Sequence, residues 1–437
     1  MSGSLSAWRR RRRNDRRFRR RRSRSRSRRA NDRERGEGVT DYLDQAESYR
    51  DDVTSFLRDI IAIPSPSCGE GRVAERIIEE MNTLGYDDAI IDGMGNVVGR
   101  IGSGGLKLVF DAHMDTVGVG DPGAWPHDPY EGKLEDGIVF GRGASDNKGA
   151  IASQVYAGKL LKERGLDDAD ATIHVVGTVM EEDCDGLALG FLLTETIAGV
   201  DAVVLGECSN LAVYRGHRGR MEMRVSTKGQ SAHASAPERG DNAITAMAPI
   251  ALEVAELNGH LAEDAFLGRG SVAVTKIECQ TASLNAIPDA CAIYIDRRLT
   301  AGESLESAIK EIESLSGAGR ARVEVLKYSE PAYTGLVLET DKYYPTWVLE
   351  EDHPLVAAGV SAGEAALGAP PSVGKWTFST NGVSSAGRLG IPTIGFGPSE
   401  ERWAHTVLDQ CPVDDLVASI AFYAAFPKVA AEKGVGR

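Results

Sequence analysis

The sequence predicts an α/β protein, in which a mostly parallel sheet forms the main domain and a smaller α+β domain is inserted into it. Before residue 214, short apolar runs typical of buried strands alternate with stretches of helical periodicity. Between 214 and 331, apolar and polar residues alternate as they do in half-exposed strands. The first pattern returns from residue 332, so the smaller domain interrupts the main one.

The elements of the main domain follow from hydrophobic periodicity. Apolar residues at helical spacing predict helices over 42–62, 71–84, 147–164 and 413–426. Continuous apolar runs predict buried strands at 106–110, 171–180, 201–205 and 391–396. Because strands and helices alternate, we expect a largely parallel sheet that binds its ligand at the carboxyl ends of the strands.

The inserted domain has a different pattern. Alternating residues predict strands over 220–228, 271–277 and 290–296, with helices near 241–257 and 303–314. This pattern is typical of an antiparallel sheet covered by helices. The predicted division of the chain is an arm over 1–38, a main domain over 39–213 and 332–437, and an insert over 214–331.

Charge is distributed unevenly along the 437 residues. Residues 1–38 contain 17 Arg, no Lys and four acids, whereas the rest of the chain carries a net charge of −27. Such an arginine-rich segment cannot bury a core, so we predict that it is disordered. It is either a nucleic-acid-binding arm, a solvated tail or translated sequence upstream of a true start near Val39, and the last two interpretations are favoured.

Composition also indicates the cellular environment. An acidic chain with only 13 Lys is typical of proteins adapted to a salt-rich cytoplasm. No apolar stretch approaches the ~18 residues of a membrane span, and no secretory signal is recognisable. The cysteines are dispersed, which favours free thiols in a reducing compartment: Cys68, Cys184, Cys208, Cys279, Cys291 and Cys411. We therefore expect a cytoplasmic, halophilic protein without a membrane partner.

Acidic residues and a histidine follow the predicted strands. His113 lies just after one strand, Glu181 and Glu182 after another, and Glu207 after a third. Asp146 lies in a glycine-rich loop that leads into a helix. Taken singly, each has an ordinary explanation, such as a helix N-cap for Asp146 or the general acidity of the chain.

Taken together, these residues predict a metal site. We expect four strand ends of one sheet to share one rim, which would bring their side chains together. Imidazole and carboxylate ligands suit paired zinc or similar divalent ions. His405 is the expected second histidine in a chain with only eight. The side chain of Asp115 is expected to reach the second ring nitrogen of His113, because alternate residues of an extended chain point the same way.

Seven segments between residues 111 and 406 carry a resemblance to a known family, and the match covers almost everything from residue 42 to the end. They are DAHMDTV, WPHDPYEGKLEDGIVFGRGASDNKGA, EEDCDG, GECS, STKGQSAHASAPERGDNAI, LNAIPDACAIYIDRRL and GIPTIGFGPSEERWAHT. The sequence resembles the family of zinc aminoacylases, glutamate carboxypeptidases and succinyl-diaminopimelate desuccinylases, which are co-catalytic metallopeptidases. Within that family it is most similar to a branch of hydrolases linked to selenium and purine metabolism in bacteria.

The resemblance implies a pair of metal ions bridged by Asp146. His113 and Glu207 would complete one ion, and Glu182 and His405 the other. Zinc is the expected metal, with cobalt or manganese as alternatives. The insert would act as a lid and dimerisation domain, so the resemblance also implies a homodimer.

The same resemblance implies catalytic and substrate-binding roles. Glu181 would be the general base, and Asp115 would orient the histidine ligand. His233 would reach the active site of the partner subunit and stabilise the oxyanion. Asn285 and Arg298 would bind the substrate carboxylate or the tetrahedral intermediate, since a guanidinium meets a carboxylate bidentately.

Some neighbouring residues receive less specific predictions. Arg297 is the other candidate for the substrate-binding role given to Arg298, and its alternative interpretation is a surface charge. Thr380–Gly382 and Gly395–Gly397 are expected to shape the substrate pocket. Asp183 and Asp185 are interpreted as solvated or turn charges, and Cys184 and Cys208 as buried packing thiols.

The expected function is hydrolysis by two metal ions of an amide bond beside a free carboxylate, in an N-acyl amino acid or small peptide. One alternative is a metal-binding relative without catalytic activity. The other is a nucleic-acid-associated protein that acts through residues 1–38.

Overall fold

The computed structural model describes residues 41–436, so the predicted disordered arm over 1–38 lies outside the described residues. The α-helices are α1 (Asp41–Glu47), α2 (Arg50–Ile61), α3 (Gly71–Thr83), α4 (Lys148–Glu163), α5 (Leu187–Phe191), α6 (Ala243–Leu257), α7 (Leu305–Glu313), α8 (Pro354–Leu367) and α9 (Val413–Glu432).

The strands before and within the insert are β1 (Asp88–Ile91), β2 (Val97–Gly102), β3 (Leu106–His113), β4 (Lys133–Glu135), β5 (Ile138–Phe140), β6 (Ala171–Thr178), β7 (Ala202–Leu205), β8 (Val213–Tyr214), β9 (Gly216–His217), β10 (Gly219–Lys228), β11 (Glu263–Asp264), β12 (Gly268–Arg269), β13 (Ser271–Gln280), β14 (Ala290–Leu299), β15 (Ala321–Val325) and β16 (Lys327–Tyr328). The remaining strands are β17 (Thr340–Asp341), β18 (Tyr343–Tyr344), β19 (Trp347–Val348), β20 (Val373–Gly374), β21 (Thr393–Gly395) and β22 (Gln410–Pro412).

The main sheet has the strand order β1-β2-β6-β3-β7-β21-β8-β20. Its central strands β6, β3, β7 and β21 are parallel neighbours, and β1 and β2 add an antiparallel edge. This arrangement confirms the predicted mostly parallel sheet. In the register of the centre, His113 lies opposite Thr178, and Asp111 lies opposite Leu205. The chain therefore leaves β3, β6 and β7 at the same edge of the sheet.

Helices cover the central strands, which explains their unbroken apolar sequences. Every residue of β6 and β7 is buried, as expected when both faces of a parallel sheet are covered. Helix α9 packs beside α4 and α8. Phe422 of α9 stacks on Phe396 with ring centroids 3.7 Å apart.

The insert forms its own antiparallel sheet, β13-β14-β10-β15, with α6 and α7 packed against it. Met221, Ile250 and Ile293 belong to a hydrophobic cluster separate from that of the main sheet. Strand β18 also pairs with β10, although it lies beyond the predicted end of the insert at 331. The domain boundaries therefore stay predictions.

One expectation about the main sheet is wrong. The strand before the Asp146 loop is β5, which pairs with β4 and β22 in a separate three-stranded sheet. The main sheet thus supplies three of the expected strand ends, and Asp146 reaches them through the loop that precedes α4.

Candidate metal centre

Three adjacent strands place the first candidate ligands. His113 is the last residue of β3, while Glu181 and Glu207 follow β6 and β7 within three residues. Met180 has a left-handed backbone with φ of 60°, which turns the chain sharply before Glu181. Because the strand order is β6-β3-β7, these side chains meet at one edge of the sheet.

A buried carboxylate joins the two loops that bring in Asp146 and His405. Asp409 accepts hydrogen bonds from the Ser145 backbone N–H at 2.8 Å, the Ser145 hydroxyl at 2.7 Å and the Gly143 N–H at 2.7 Å. Asp409 lies four residues after His405, so these hydrogen bonds connect the loop that carries His405 with the loop that carries Asp146.

The five predicted metal ligands form two groups that share Asp146. The Nε2 atom of His113 lies 2.9 Å from Asp146 Oδ1 and 3.6 Å from Glu207 Oε1. The Nε2 atom of His405 lies 2.9 Å from Glu182 Oε2 and 3.3 Å from Asp146 Oδ2. The candidate ligand sets with all donor atoms within 4.8 Å of one another are His113–Glu181–Glu207 and His113–Asp146–Glu182, which share His113. The division of the ligands between two ions therefore stays a prediction.

Glu181 and Asp115 lie beside this cluster. Glu181 Oε2 is 3.9 Å from His113 Nε2, close enough to face a molecule bound among the ligands. The Asp115 carboxylate lies 3.4 Å from His113 Nδ1, within the expected reach, and the backbone carbonyl of Asp115 is nearer at 2.9 Å. The Asp115 carboxylate also accepts the backbone N–H groups of Glu181 and Glu182, each at 3.1 Å.

Burial and mutual repulsion dominate the electrostatics of the cluster. Burial raises the pKa of Glu181 and of Glu207 well above the ordinary range, and repulsion by neighbouring carboxylates acts in the same direction. Hydrogen bonds to Asp146 and Glu182 raise the pKa of His405 to about 10. Such a concentration of negative charge is stabilised by cations.

The side chains present fit a metal site. The donors are imidazole nitrogens and carboxylate oxygens, which zinc and similar divalent ions accept. The Oε2 atom of Glu207 is buried and has no hydrogen-bond partner among the described residues. A cation would satisfy this oxygen, whose isolation is otherwise unfavourable.

A cavity of about 320 Å³ opens onto the cluster. Its lining residues are Asp146, Glu181, Glu182, Asp185, Glu207, Arg220, Arg298, Phe378, Ser379, Glu401, Ala404 and His405. Asp185 lies in a turn, as one of its two interpretations held, but it is not solvated, because this residue is 4% exposed and pairs with Arg220 at 3.4 Å. Arg220 carried no sequence signal that would have separated it from other charged residues of an alternating strand. Asp183, in contrast, is exposed as expected.

The remaining predicted site residues divide into two sets. Arg298 lines the cavity, whereas His233 and Asn285 are exposed on the insert and do not line it in this subunit. The Ala234 N–H donates to the Asn285 carbonyl at 2.8 Å, so those two predicted residues lie on neighbouring segments. Arg297 is not a surface charge, because its side chain is 1% exposed.

The predicted pocket residues at 380–382 lie one layer behind the cavity wall. Thr380 contacts His217 through its Oγ1 atom at 3.0 Å, and Asn381 donates to Asp111 at 3.0 Å. Phe378 and Ser379 supply the actual wall, and the segment 395–397 does not line the cavity. Cys184 and Cys208 are buried as expected, and all six cysteines are free.

A two-domain α/β fold with a histidine–carboxylate cluster at the strand ends defines a metal-dependent hydrolase. The peptidase dimerisation domain family matches residues 215–322. The chain is 50% identical over 387 residues to the uncharacterized protein YgeY of Escherichia coli (strain K12), a match spanning 88% of this chain and 96% of that protein. It is 29% identical over 298 residues to the succinyl-diaminopimelate desuccinylase of Cereibacter sphaeroides, spanning 63% of this chain and 75% of that enzyme. The chain therefore belongs to the M20 family of metallopeptidases and related amidohydrolases.

Structural comparison gives the same fold. The YxeP protein of Bacillus subtilis, a dinuclear metal-binding peptidase of the M20 family, aligns with a TM-score of 0.65 at 15% identity, over 88% of this chain and 99% of that one. Across residues 41–436, no helix combines the length and apolar character needed to cross a membrane.

Proposed function

We propose that this protein is a two-metal hydrolase that cleaves an amide bond of an N-acyl amino acid or small peptide beside a free carboxylate. The observation that carries the proposal is the pair of donor groups sharing Asp146, with Glu181 beside them. Glu181 lies close enough to His113 and Glu207 to be a possible ligand itself, but we assign it to the attacking water instead.

The contacts within the cluster support a proposed set of metal ligands. His113, Asp146 and Glu207 would hold one divalent ion, and His405, Asp146 and Glu182 the second. Zinc is the proposed metal, with cobalt or manganese as alternatives that satisfy the same donors. Bound divalent ions would supply a Lewis acid that polarises the scissile carbonyl and lowers the pKa of water.

Glu181 is the proposed general base. Its side chain is buried, and its carboxylate oxygen faces His113 at 3.9 Å. It would accept a proton from the attacking water and return it to the leaving amine, so one carboxylate serves both steps. The hydrogen bond between its backbone N–H and Asp115 holds it in place.

The substrate class rests on the cavity wall. Arg298 faces the same cavity as Glu181 and offers a guanidinium suited to a carboxylate. The Cereibacter relative is named as a desuccinylase, an enzyme that removes a succinyl group. A deacylase, desuccinylase or peptidase acting next to a carboxylate fits this wall.

A homodimer would complete the site. Leu252 on α6 and Ile277 on β13 are 67% and 59% exposed, and pairing of two inserts could bury such apolar side chains. His233 does not line the cavity of its own subunit. We assign it, together with Asn285, to the active site of the partner subunit, where His233 would stabilise the oxyanion.

The composition supports a proposal about the environment. The acidic charge outside residues 1–38 and the scarcity of lysine fit a salt-rich cytoplasm. Activity and thermal unfolding measured from low to molar potassium chloride would test this, with greater stability at high salt expected.

The experiment that tests the hydrolase is the substitution Glu181→Gln in metal-reconstituted protein. The variant is expected to keep its metal content and lose hydrolysis of a panel of N-acetyl amino acids, N-succinyl amino acids and dipeptides. Asp183→Asn is the matched control, because Asp183 lies two residues after Glu181 but is exposed. A chelator should abolish wild-type activity. An active Glu181→Gln variant, or a wild type that no chelator inhibits, contradicts the mechanism.

Subunit complementation tests the role of His233. The variants Glu181→Gln and His233→Ala are each expected to be inactive. After subunit exchange, mixed dimers would contain one site with both native residues, so activity should reappear. Absence of recovery in dimers shown by mass spectrometry to be mixed would place His233 outside the partner site.

A further inference from the structure

Two arginines lie directly opposite each other at the wall of the cavity. Arg220 of β10 and Arg298 of β14 are cross-strand partners in the insert sheet. Both line the same cavity as Glu181 and Asp146. Like charges placed directly opposite on adjacent strands are unfavourable, so this arrangement requires nearby anions.

The protein supplies these anions unequally. Arg298 donates to Asp296 through Nε at 2.8 Å and Nη2 at 3.2 Å. Arg220 has longer ion pairs, 3.4 Å to Asp185 and 4.0 Å to Glu222. Its Nε is buried and lacks a hydrogen-bond partner anywhere in the described chain. The donors of Arg220 are therefore incompletely used.

Packing nevertheless fixes the position of Arg220. Its guanidinium lies over the ring of Tyr344 at 4.5 Å from the centroid. Asp185, itself 4% exposed, approaches it from the main domain. A side chain that is held on two sides, lines the cavity and has an unsatisfied donor is preorganised to receive an anion.

We propose that Arg220 is a second substrate-binding arginine, which together with Arg298 holds the free carboxylate of the substrate. The inference rests on the proposed hydrolase function and deepens it by making the carboxylate a requirement for binding. Two planar guanidinium groups offer more donors than one carboxylate can accept, so the carboxylate can bind without displacing Asp296 from Arg298. Asp185 acts as a positioning residue, because it holds Arg220 towards the cavity.

The test uses substrates that differ only in this group. N-acetyl amino acids and their carboxamides are compared with wild type, Arg220→Met and Arg220→Lys, all metal-reconstituted. For the carboxylates, kcat/KM of Arg220→Met is expected to fall about 10- to 100-fold, mainly through KM, as for a lost hydrogen bond to a charged group. For the carboxamides, the change should be small, since they lack the charge that Arg220 binds.

Arg224→Met is the matched control. Arg224 lies four residues further along the same face of β10, pairs with Glu324 at 3.6 Å and does not line the cavity. Its substitution should leave kcat/KM unchanged for both substrate series. Thermal unfolding and metal content of each variant separate a binding effect from a loss of folding, and Arg220→Lys, which keeps the charge, should recover part of the binding.

The outcomes separate the two proposals. If wild type hydrolyses the carboxylates but Arg220→Met keeps the same preference over carboxamides, the Arg220 inference is wrong and the hydrolase stands. If wild type hydrolyses both series equally, the carboxylate requirement is wrong. If no amide in the panel is hydrolysed by metal-loaded wild type, the proposed function fails, and the inference fails with it.

Discussion

The carboxylate of Asp115 accepts a hydrogen bond from the backbone N–H of Glu181 at 3.1 Å. The same carboxylate accepts the next N–H, that of Glu182, also at 3.1 Å. Asp115 thus fixes the segment that carries both the proposed base and a proposed ligand, while its own backbone carbonyl orients His113. Asp115 therefore positions groups at the ends of two strands, β3 and β6.

Asp115→Asn should reduce hydrolysis strongly. The amide side chain introduced at this position would have only one oxygen to accept the two backbone N–H groups of Glu181 and Glu182. One of these hydrogen bonds is then lost, and the segment that carries Glu181 shifts. We expect a fall of about 10- to 100-fold in kcat/KM, the usual effect of removing a supporting hydrogen bond at a metal site. Ser67→Ala removes only the hydroxyl that donates to Asp115 at 2.7 Å and should cost less. Equal activity of Asp115→Asn and wild type would contradict this account.

Asp409→Asn should weaken metal binding without altering any proposed ligand. Its carboxylate anchors the Asp146 loop and pairs with the buried Arg142 at 3.0 Å. We expect metal affinity to fall about 10- to 100-fold, and unfolding free energy by about 3 kcal/mol because Arg142 loses its counter-ion. Calorimetric metal titration and urea unfolding measure these effects. Asp414→Asn is the control, since that side chain is 80% exposed, and unchanged metal affinity in Asp409→Asn would refute the prediction.

Arg297→Met should destabilise the insert and leave the metal site intact. The buried guanidinium is bonded to Glu303 and lies 2.9 Å from Glu311. Removing it leaves two carboxylates without their cation, at an expected cost of about 3–5 kcal/mol in urea unfolding. Arg322→Met, at a side chain 77% exposed on the same sheet, should cost less than about 1 kcal/mol. A stability loss no larger than that of the control would show that the pair is unimportant.

His174 should make stability depend on pH. Burial, with the positive charges of Arg100 and Lys107, lowers the pKa of His174 from 6.5 to about 4. As pH falls below 6.5, the unfolded chain binds a proton that the folded protein accepts only near pH 4, so stability present above 6.5 is lost across this window. The contribution is about 3 kcal/mol.

His174→Gln removes this titration and should flatten the pH dependence of urea unfolding between pH 7 and pH 4 relative to wild type. His260→Gln provides the control, because His260 is exposed on the insert. The prediction fails if His174→Gln and wild type lose the same free energy over this range.

Periodicity predicted elements whose apolar residues form a clear pattern. Helix Lys148–Glu163 and strand Ala171–Thr178 agree with their predicted ranges within two residues. The helix Pro354–Leu367 was not predicted, because alanine and glycine dominate it and leave little contrast between its faces. The start of this helix is capped by His353, whose Nδ1 atom accepts the Leu355 N–H at 3.1 Å.

The donors at the strand ends could be recognised from the amino-acid sequence, because residue type and position after an apolar run are local properties. His113, Glu182 and Glu207 could be selected in this way. Which partners they meet depends on the fold, in which Asp146 comes from the loop that follows a strand of a separate sheet.

The fold also sets the burial and the ion pairing of charged residues that look alike in sequence. Asp183 and Asp185 are two positions apart, yet one is exposed and the other lies buried against Arg220. Arg220 faces Arg298 only because β10 and β14 pair in one register. Burial and pairing arise from contacts between segments far apart in the chain, and a local pattern of residues does not specify them.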